Sequence, residues 1–328
     1  MLSIHSNRGA HSAEHHSALN LLSTPCLARA ADGLTLVSLV ERMGVEVMTS
    51  SLRIILVVIA FLFLVSLCAF YVSMRPPKIV SSITPGAYNM QYENVSFKTA
   101  DGITLRGWHV PSVKETDKTL ILLHGYPADK GDILPALAFL QKDFNLLLFD
   151  FRYLGESEGS YSTAGAKEVE DLLAAIRFLK TRGITEVGVW GFSMGGAVAL
   201  MAIEKAPEIR AVVAESSYAS LSDMALQFFK VRLINYPIAY LIGLWAKLFL
   251  SIDLRDASPA ERIRNSTIPI LITHSSADAV IPFSQAKSLQ QSLVNNPRAE
   301  FWFSEEFVHG QLHGDYQSRL QTFFRKNL

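Results

Sequence analysis

The sequence predicts an α/β domain on a mostly parallel, doubly wound sheet with a helical cap insertion, preceded by one transmembrane helix. Three observations carry this. Apolar runs of strand length recur between residues 119 and 303, bounded by Gly, Asp or Ser. Helix-patterned segments fill the intervals between them. Residues 52–72, LRIILVVIAFLFLVSLCAFYV, carry one charge, Arg53, near their start.

The sheet begins with a hairpin. Residues 95–99 and 104–109 have β character, and Asp101-Gly102 between them supplies the turn. The runs 119–123, 145–149, 186–190 and 210–214 are too short for independent helices. Their nearly continuous apolar character is what parallel strands covered on both faces require. Val169, Leu172, Leu173, Ile176 and Leu179 recur at helical spacing, with Lys167, Glu168, Glu170 and Lys180 between them. Strands alternating with helices imply right-handed crossovers. Further strands are expected at 269–274 and 299–303, and a last helix at 315–324. Residues 218–265 interrupt the alternation. They contain IAYLIGLWAKLFL at 238–250, too short to span a bilayer, which reads as a helical cap able to shape an apolar pocket.

A hydrocarbon core of about 30 Å takes about 20 apolar residues in a helix, and 52–72 fits. The run is apolar on every face and is followed by Arg75-Pro76-Pro77-Lys78, which favours an uncleaved anchor over a buried core helix. A cleaved signal peptide competes, but no clean small-x-small site follows. Basic residues flank both ends (Arg42 and Arg53, Arg75 and Lys78), so charge does not set the orientation. The His-, Ser- and Ala-rich residues 1–51 read as a disordered tail, 73–94 as a linker, and 95–328 as the α/β domain with its cap insertion.

Lysine plus arginine equal aspartate plus glutamate at 30 each, which removes the electrostatic argument for a nucleic-acid partner. Apolar residues make up 49% of the chain, high for a soluble protein and consistent with a membrane segment. The two cysteines, Cys26 and Cys68, precede the α/β domain and build neither a disulfide framework nor a zinc motif.

The chemistry centres on Gly191-Phe192-Ser193-Met194-Gly195-Gly196, between a strand and a helical run. Gly-x-Ser-x-Gly in that context makes a sharp turn that lifts a serine hydroxyl out of the sheet edge. The following helix N-terminus favours a developing anion there. A nucleophilic serine needs a base and a group to orient that base. Asp278, after the strand 269–274 and before Val280-Ile281-Pro282, is the candidate acid. Two histidines follow the last strand, His309 and His313, each before a glycine. The strand–loop–His spacing favours His309. The oxyanion-hole N–H groups are expected from Met194 and, in His124-Gly125-Tyr126, from Tyr126; His124 itself is expected to shape that loop.

With these residues in place, the chain resembles the α/β-hydrolase superfamily over about residues 92–327. The resemblance rests on Asp101-Gly102 with Gly107-Trp108, Leu123-His124-Gly125-Tyr126, Asp150-Phe151-Arg152 with Gly155-Glu156-Ser157-Glu158-Gly159, the Ser193 turn, Asp278 with Pro282, and His309-Gly310. It is most similar to the membrane-anchored α/β-hydrolase domain-containing proteins and the serine aminopeptidase and monoacylglycerol-lipase-like group. The resemblance implies hydrolysis of an ester, thioester or amide of a small-molecule substrate, with no metal or organic cofactor, and the apolar cap beside a membrane favours an esterase- or lipase-like enzyme for lipid-like acyl groups. It also implies that Asp150, Arg152 and Ser157 brace a loop. Tyr153 departs from the family by replacing a common glycine, and His274-Ser275-Ser276 stands where His-Gly-small is usual. The alternatives are a serine peptidase of the same fold and a non-catalytic binding protein that retains it.

Overall fold

The computed structural model describes residues 25–228, 235–306, 308–311 and 315–328. The elements run α1 (Pro25–Met74), β1 (Glu93–Lys98), β2 (Thr104–Val110), β3 (Thr119–Leu123), α2 (Lys130–Leu137), β4 (Asn145–Phe149), α3 (Glu168–Thr181), β5 (Val187–Phe192), α4 (Met194–Ala202), β6 (Ile209–Glu215), α5 (Leu221–Phe228), α6 (Asn235–Leu250), α7 (Pro259–Arg262), β7 (Ile270–Ser275), α8 (Phe283–Ser292), β8 (Ala299–Ser304) and α9 (Tyr316–Asn327). The chain divides into two compact units, one ending at Ala60 and the other Phe61–Leu328. The whole sheet lies in the second.

The eight strands run β1-β2-β4-β3-β5-β6-β7-β8. β2 pairs antiparallel with β1 and β4; every other pairing is parallel. The Asp101-Gly102 turn closes the β1–β2 hairpin, with Thr99 N–H donating to Ile103 O at 3.0 Å and Gly102 at φ +86°, where a Cβ would strain the backbone. Strands β3 and β4 have the bounds the sequence predicts, and the others shift by one or two residues. Side chains alternate along β3 between two cores. Ile121 and Leu123 pack with α3, α4 and α8 residues such as Leu172, Val198 and Leu289. Leu120 and Leu122 face Leu134 of α2 and Leu320 and Phe324 of α9. Both faces are covered, which accounts for the unbroken apolar strands.

Three expectations need correction. Residues 25–51, expected as disordered tail, belong to α1; residues 1–24 lie outside the described chain. The reason is local. Pro25 suits a first helical turn, and no further proline occurs before Pro76, so nothing stops the helix at residue 52. Between Thr35 and Met74 the helix is long and apolar enough to cross a membrane, and it is mostly exposed, unlike a core helix.

The linker expected at 73–94 is fastened to the domain. Ser162 N–H donates to Met74 O at 2.9 Å, Arg75 Nε to Ser160 O at 2.9 Å, and Lys78 Nζ to Ser157 O at 3.0 Å. The hydroxyls of Tyr126 and Tyr153 donate to the carbonyls of Ser73 and Pro76. Tyr153 adopts φ +69°, a conformation that favours glycine, and its side chain holds this strap. The cap is also shorter than 218–265. Leu221 N–H donates to Ala257 O at 3.0 Å, closing its base, and α7 packs against α4 and α8 instead.

Buried charges brace the loop after β4. Asp150 accepts from Lys130 Nζ at 2.7 Å, from the Lys130 N–H at 2.8 Å and from the Glu156 N–H at 2.9 Å. Ser157 Oγ donates to Asp150 O and accepts from the Arg106 N–H. Arg152 donates from Nε and Nη2 to Asp171 Oδ1 at 2.9 and 2.7 Å, and from Nη1 to Asp101 Oδ2 at 2.9 Å. Removing one member strands a buried charge. Arg152→Met is therefore expected to destabilise the protein by about 3–5 kcal/mol, and Arg152→Met with Asp171→Leu to recover most of it. Chemical denaturation of both variants checks this; equal stability of the two would show that Asp171 does not depend on Arg152.

Candidate active site

β5 ends at Phe192 and α4 begins at Met194, so Ser193 alone makes the turn, at φ +53° and ψ −114°. A non-glycine residue there is strained, and its surroundings hold it. The Ser193 N–H donates to Glu215 O on β6 at 2.8 Å. A Cβ on Gly191 would stand 2.3 Å from the Gly195 carbonyl carbon, and one on Gly195 would stand 2.6 Å from Leu123 O. Glycine at both positions lets α4 press onto the strand ends. Ser193 is 7% exposed and stands at the N-cap position of α4, where the helix dipole favours negative charge, without a capping bond from its side chain.

Asp278 lies three residues beyond β7, in the turn before Pro282. Its Oδ1 accepts from the N–H groups of Val280 and Ile281 at 2.8 and 2.9 Å. Its Oδ2 lies 2.6 Å from His309 Nδ1. Burial works against ionisation of Asp278. The hydrogen bond from His309 and those from the Ile281 and Val280 amides outweigh it, and the pKa lies below the ordinary carboxylate value. An ionised Asp278 accepts a hydrogen bond from Nδ1–H of His309 and leaves Nε2 as the basic nitrogen. The His309 ring packs 4.7 Å, centroid to centroid, from Phe192, the residue before Ser193. Gly310, at φ +81°, turns directly over the same phenyl ring. His313, the other candidate base, lies outside the described residues.

The loop after β3 flanks the serine. A Cβ on Gly125 would come within 3.3 Å of Ser193 Cβ, so this backbone passes directly beside the hydroxyl-bearing carbon. His124 shapes it as expected. Its Nε2 accepts from the Phe151 N–H at 3.1 Å, which leaves Nδ1 to donate to Gly125 O at 2.7 Å. Burial lowers the His124 pKa, keeping this tautomer neutral. Tyr126 follows, joined to Pro127 by a cis peptide bond. Among the described residues no group accepts from the N–H of Tyr126 or of Met194. No group of three or more His, Cys, Asp or Glu placed to hold a metal occurs among the described residues.

Residues 118–249 match the family model of the alpha/beta hydrolase fold. The Escherichia coli (strain K12) protein YfhR is 30% identical over 217 residues, 63% of this chain and 69% of its own. The chain belongs to the α/β-hydrolase family. A thiohydrolase of Arthrinium phaeospermum is 34% identical over 129 residues, covering 37% of this chain and 42% of that protein. A solved Pyrococcus furiosus esterase superposes with a TM-score of 0.65 at 26% identity, covering 77% of this chain and 98% of its own. An α/β-hydrolase fold with esterase and thiohydrolase relatives supports a hydrolase function.

Behind the α/β-hydrolase turn lies a feature that the sequence reasoning missed. Glu215, Thr273, His274 and Tyr316 line a cavity of about 30 Å³. Glu215 Oε2, Thr273 Oγ1 and His274 Nδ1 are buried there without a hydrogen-bond partner among the described residues. His274 Nε2 lies 2.9 Å from Ile281 O and 3.8 Å from Asp278 Oδ2, so the cluster adjoins the acid. The Tyr316 hydroxyl accepts from Trp190 Nε1 at 2.6 Å, tying α9 to β5. The available signal was a carboxylate closing the apolar run 210–214. Burial pushes the Glu215 pKa up to about 8, against a smaller downward pull from the nearby Tyr316 hydroxyl. Between the ordinary value of 4.5 and about 8, the folded protein keeps a proton that the unfolded chain has released. Stability therefore falls as pH rises through that window. Glu215→Gln lacks this loss, so its Tm relative to wild type should climb from about pH 5 to pH 8. A constant difference in Tm across that range would show that Glu215 is ionised in the fold.

Proposed function

We propose that this chain is a membrane-anchored serine hydrolase that cleaves an ester, thioester or amide through an acyl-enzyme. The observation that carries this reading is the 2.6 Å bond between Asp278 and His309, on a ring that packs against Phe192 beside the Ser193 turn. His309 Nε2 takes the Ser193 proton as the serine oxygen attacks the acyl carbonyl. Asp278 holds the tautomer and stabilises the imidazolium that forms. The N–H groups of Met194 and Tyr126 receive the oxyanion. The imidazolium then protonates the leaving group, and water activated by His309 releases the acid. In this reading α1 spans the bilayer and the strap after Met74 holds the domain close to it. An esterase-like substrate is favoured by the apolar cap and by the esterase and thiohydrolase relatives.

The test is fluorophosphonate labelling of the full-length protein, with turnover of acyl esters of graded chain length. Wild type should label, and Ser193→Ala and His309→Ala should not. Ser193→Ala should lower kcat on the order of a millionfold. Asp278→Asn should lower it by about ten thousandfold, because the amide favours the wrong imidazole tautomer. A folded wild type that neither labels nor turns over esters or peptides would point to a binding protein. Preference for peptides over esters would point to a peptidase.

A further inference from the structure

We propose that α6, the second cap helix, is itself embedded in the membrane, with lipid acyl chains covering its exposed face. This rests on α1 spanning the bilayer, as proposed above.

α6 is apolar around its whole circumference, with Lys247 its single charge. A helix of that kind needs apolar surroundings on all sides. The protein supplies them for Ile238, Ala239, Trp245 and Ala246, while Tyr236, Tyr240, Leu248 and Phe249 are 61–75% exposed. Contiguous exposed apolar surface of this kind marks an interaction site.

Its contacts identify what covers it. Trp245 Nε1 donates to Ser66 Oγ at 3.1 Å, a buried bond into the apolar run of α1. The Trp245 ring meets Phe63 edge-on at 4.5 Å, and Phe249 stacks with Phe70 at 6.3 Å. Both ring pairs join the second half of α6 to α1 between Phe63 and Phe70. Ser66 lies six residues before Val72, the end of the apolar run, or about 9 Å at 1.5 Å per residue. Interfacial helices sink their apolar face about 5–10 Å. A bilayer that holds Ser66 therefore also holds the indole bonded to it. Beyond both helices the chain turns polar, with Arg75 and Lys78 after α1 and Asp253, Arg255 and Asp256 after α6. An apolar groove of about 540 Å³, lined by Leu226, Ala239, Tyr240 and Leu244 with Lys247 and Arg255 at its edge, opens on the same helix. In this placement, lipid chains fill it.

The test uses full-length protein lacking Cys26 and Cys68, with single cysteines at Leu64→Cys, Tyr240→Cys, Leu248→Cys or Val294→Cys. Each carries an environment-sensitive fluorophore in phosphatidylcholine vesicles. Quenching by chain-labelled doxyl lipid is compared with quenching by aqueous iodide. Val294, 77% exposed between α8 and β8, serves as the aqueous control. Positions 64, 240 and 248 should respond to doxyl lipid and be protected from iodide severalfold relative to position 294. If position 64 responds to lipid while 240 and 248 follow position 294, this proposal fails and the anchor stands. If position 64 itself is quenched only by iodide, the anchor fails and the proposal falls with it. Protection of 240 and 248 from both quenchers would mean that protein, such as a second copy, covers α6, which also overturns it.

Discussion

The architecture depends on how closely α4 can approach the ends of β3 and β5. Gly191 and Gly195 leave no room for a Cβ between these backbones, and the chain can reverse there in one residue. That residue is Ser193, held at positive φ by its bond to Glu215 O. The strain at one side chain is thus borne by a parallel sheet covered on both faces. Cβ-bearing residues at those glycines would push α4 away, and the loop carrying Gly125 would no longer pass beside the serine.

Around that turn, loops are fixed by buried polar groups rather than by regular structure. Asp150 gathers Lys130 and the Glu156 amide, and Arg152 gathers Asp171 and Asp101. His124 ties the loop after β3 to the Phe151 amide. These bonds join the loops after β3 and β4, so the backbone beside Ser193 is set by charges lodged in the neighbouring loop. The Asp278 carboxylate does the same for His309, using two backbone amides on one oxygen and the imidazole on the other.

Much of this was legible in the sequence because it is encoded locally. Strands β3 and β4 follow from uninterrupted apolar runs, the hairpin from Asp101-Gly102, and the serine turn from glycines at fixed offsets. Asp278 and His309 are expected as a pair from their order after strands, and the fold places the two side chains 2.6 Å apart. What escaped was long-range. Nothing near Tyr153 or Tyr126 announces that their hydroxyls reach back to Pro76 and Ser73, so residues 73–94 read as a loose linker. Glu215, Thr273 and His274 come from neighbouring strands and meet Tyr316 from the last helix. No spacing rule links them. The early start of α1 was missed for the opposite reason. The chain's polar, histidine-rich opening carries no sustained apolar period, yet no proline interrupts the stretch after Pro25, where helix formation meets no obstacle.

The strap between α1 and the domain has a dynamical consequence. A flexible leash would let the catalytic body tumble and present every face to the bilayer in turn. Here bonds to the carbonyls of Ser73, Met74 and Pro76, and from Arg75 and Lys78, grip five positions within a short stretch. Residues 73–78 therefore cannot swing free of the domain. Were α1 to lie in a membrane, as proposed above, one face of the domain would stay turned to the lipid, and its search for substrate would be reduced from a volume to a plane, where encounter is set by lateral diffusion rather than by concentration in water.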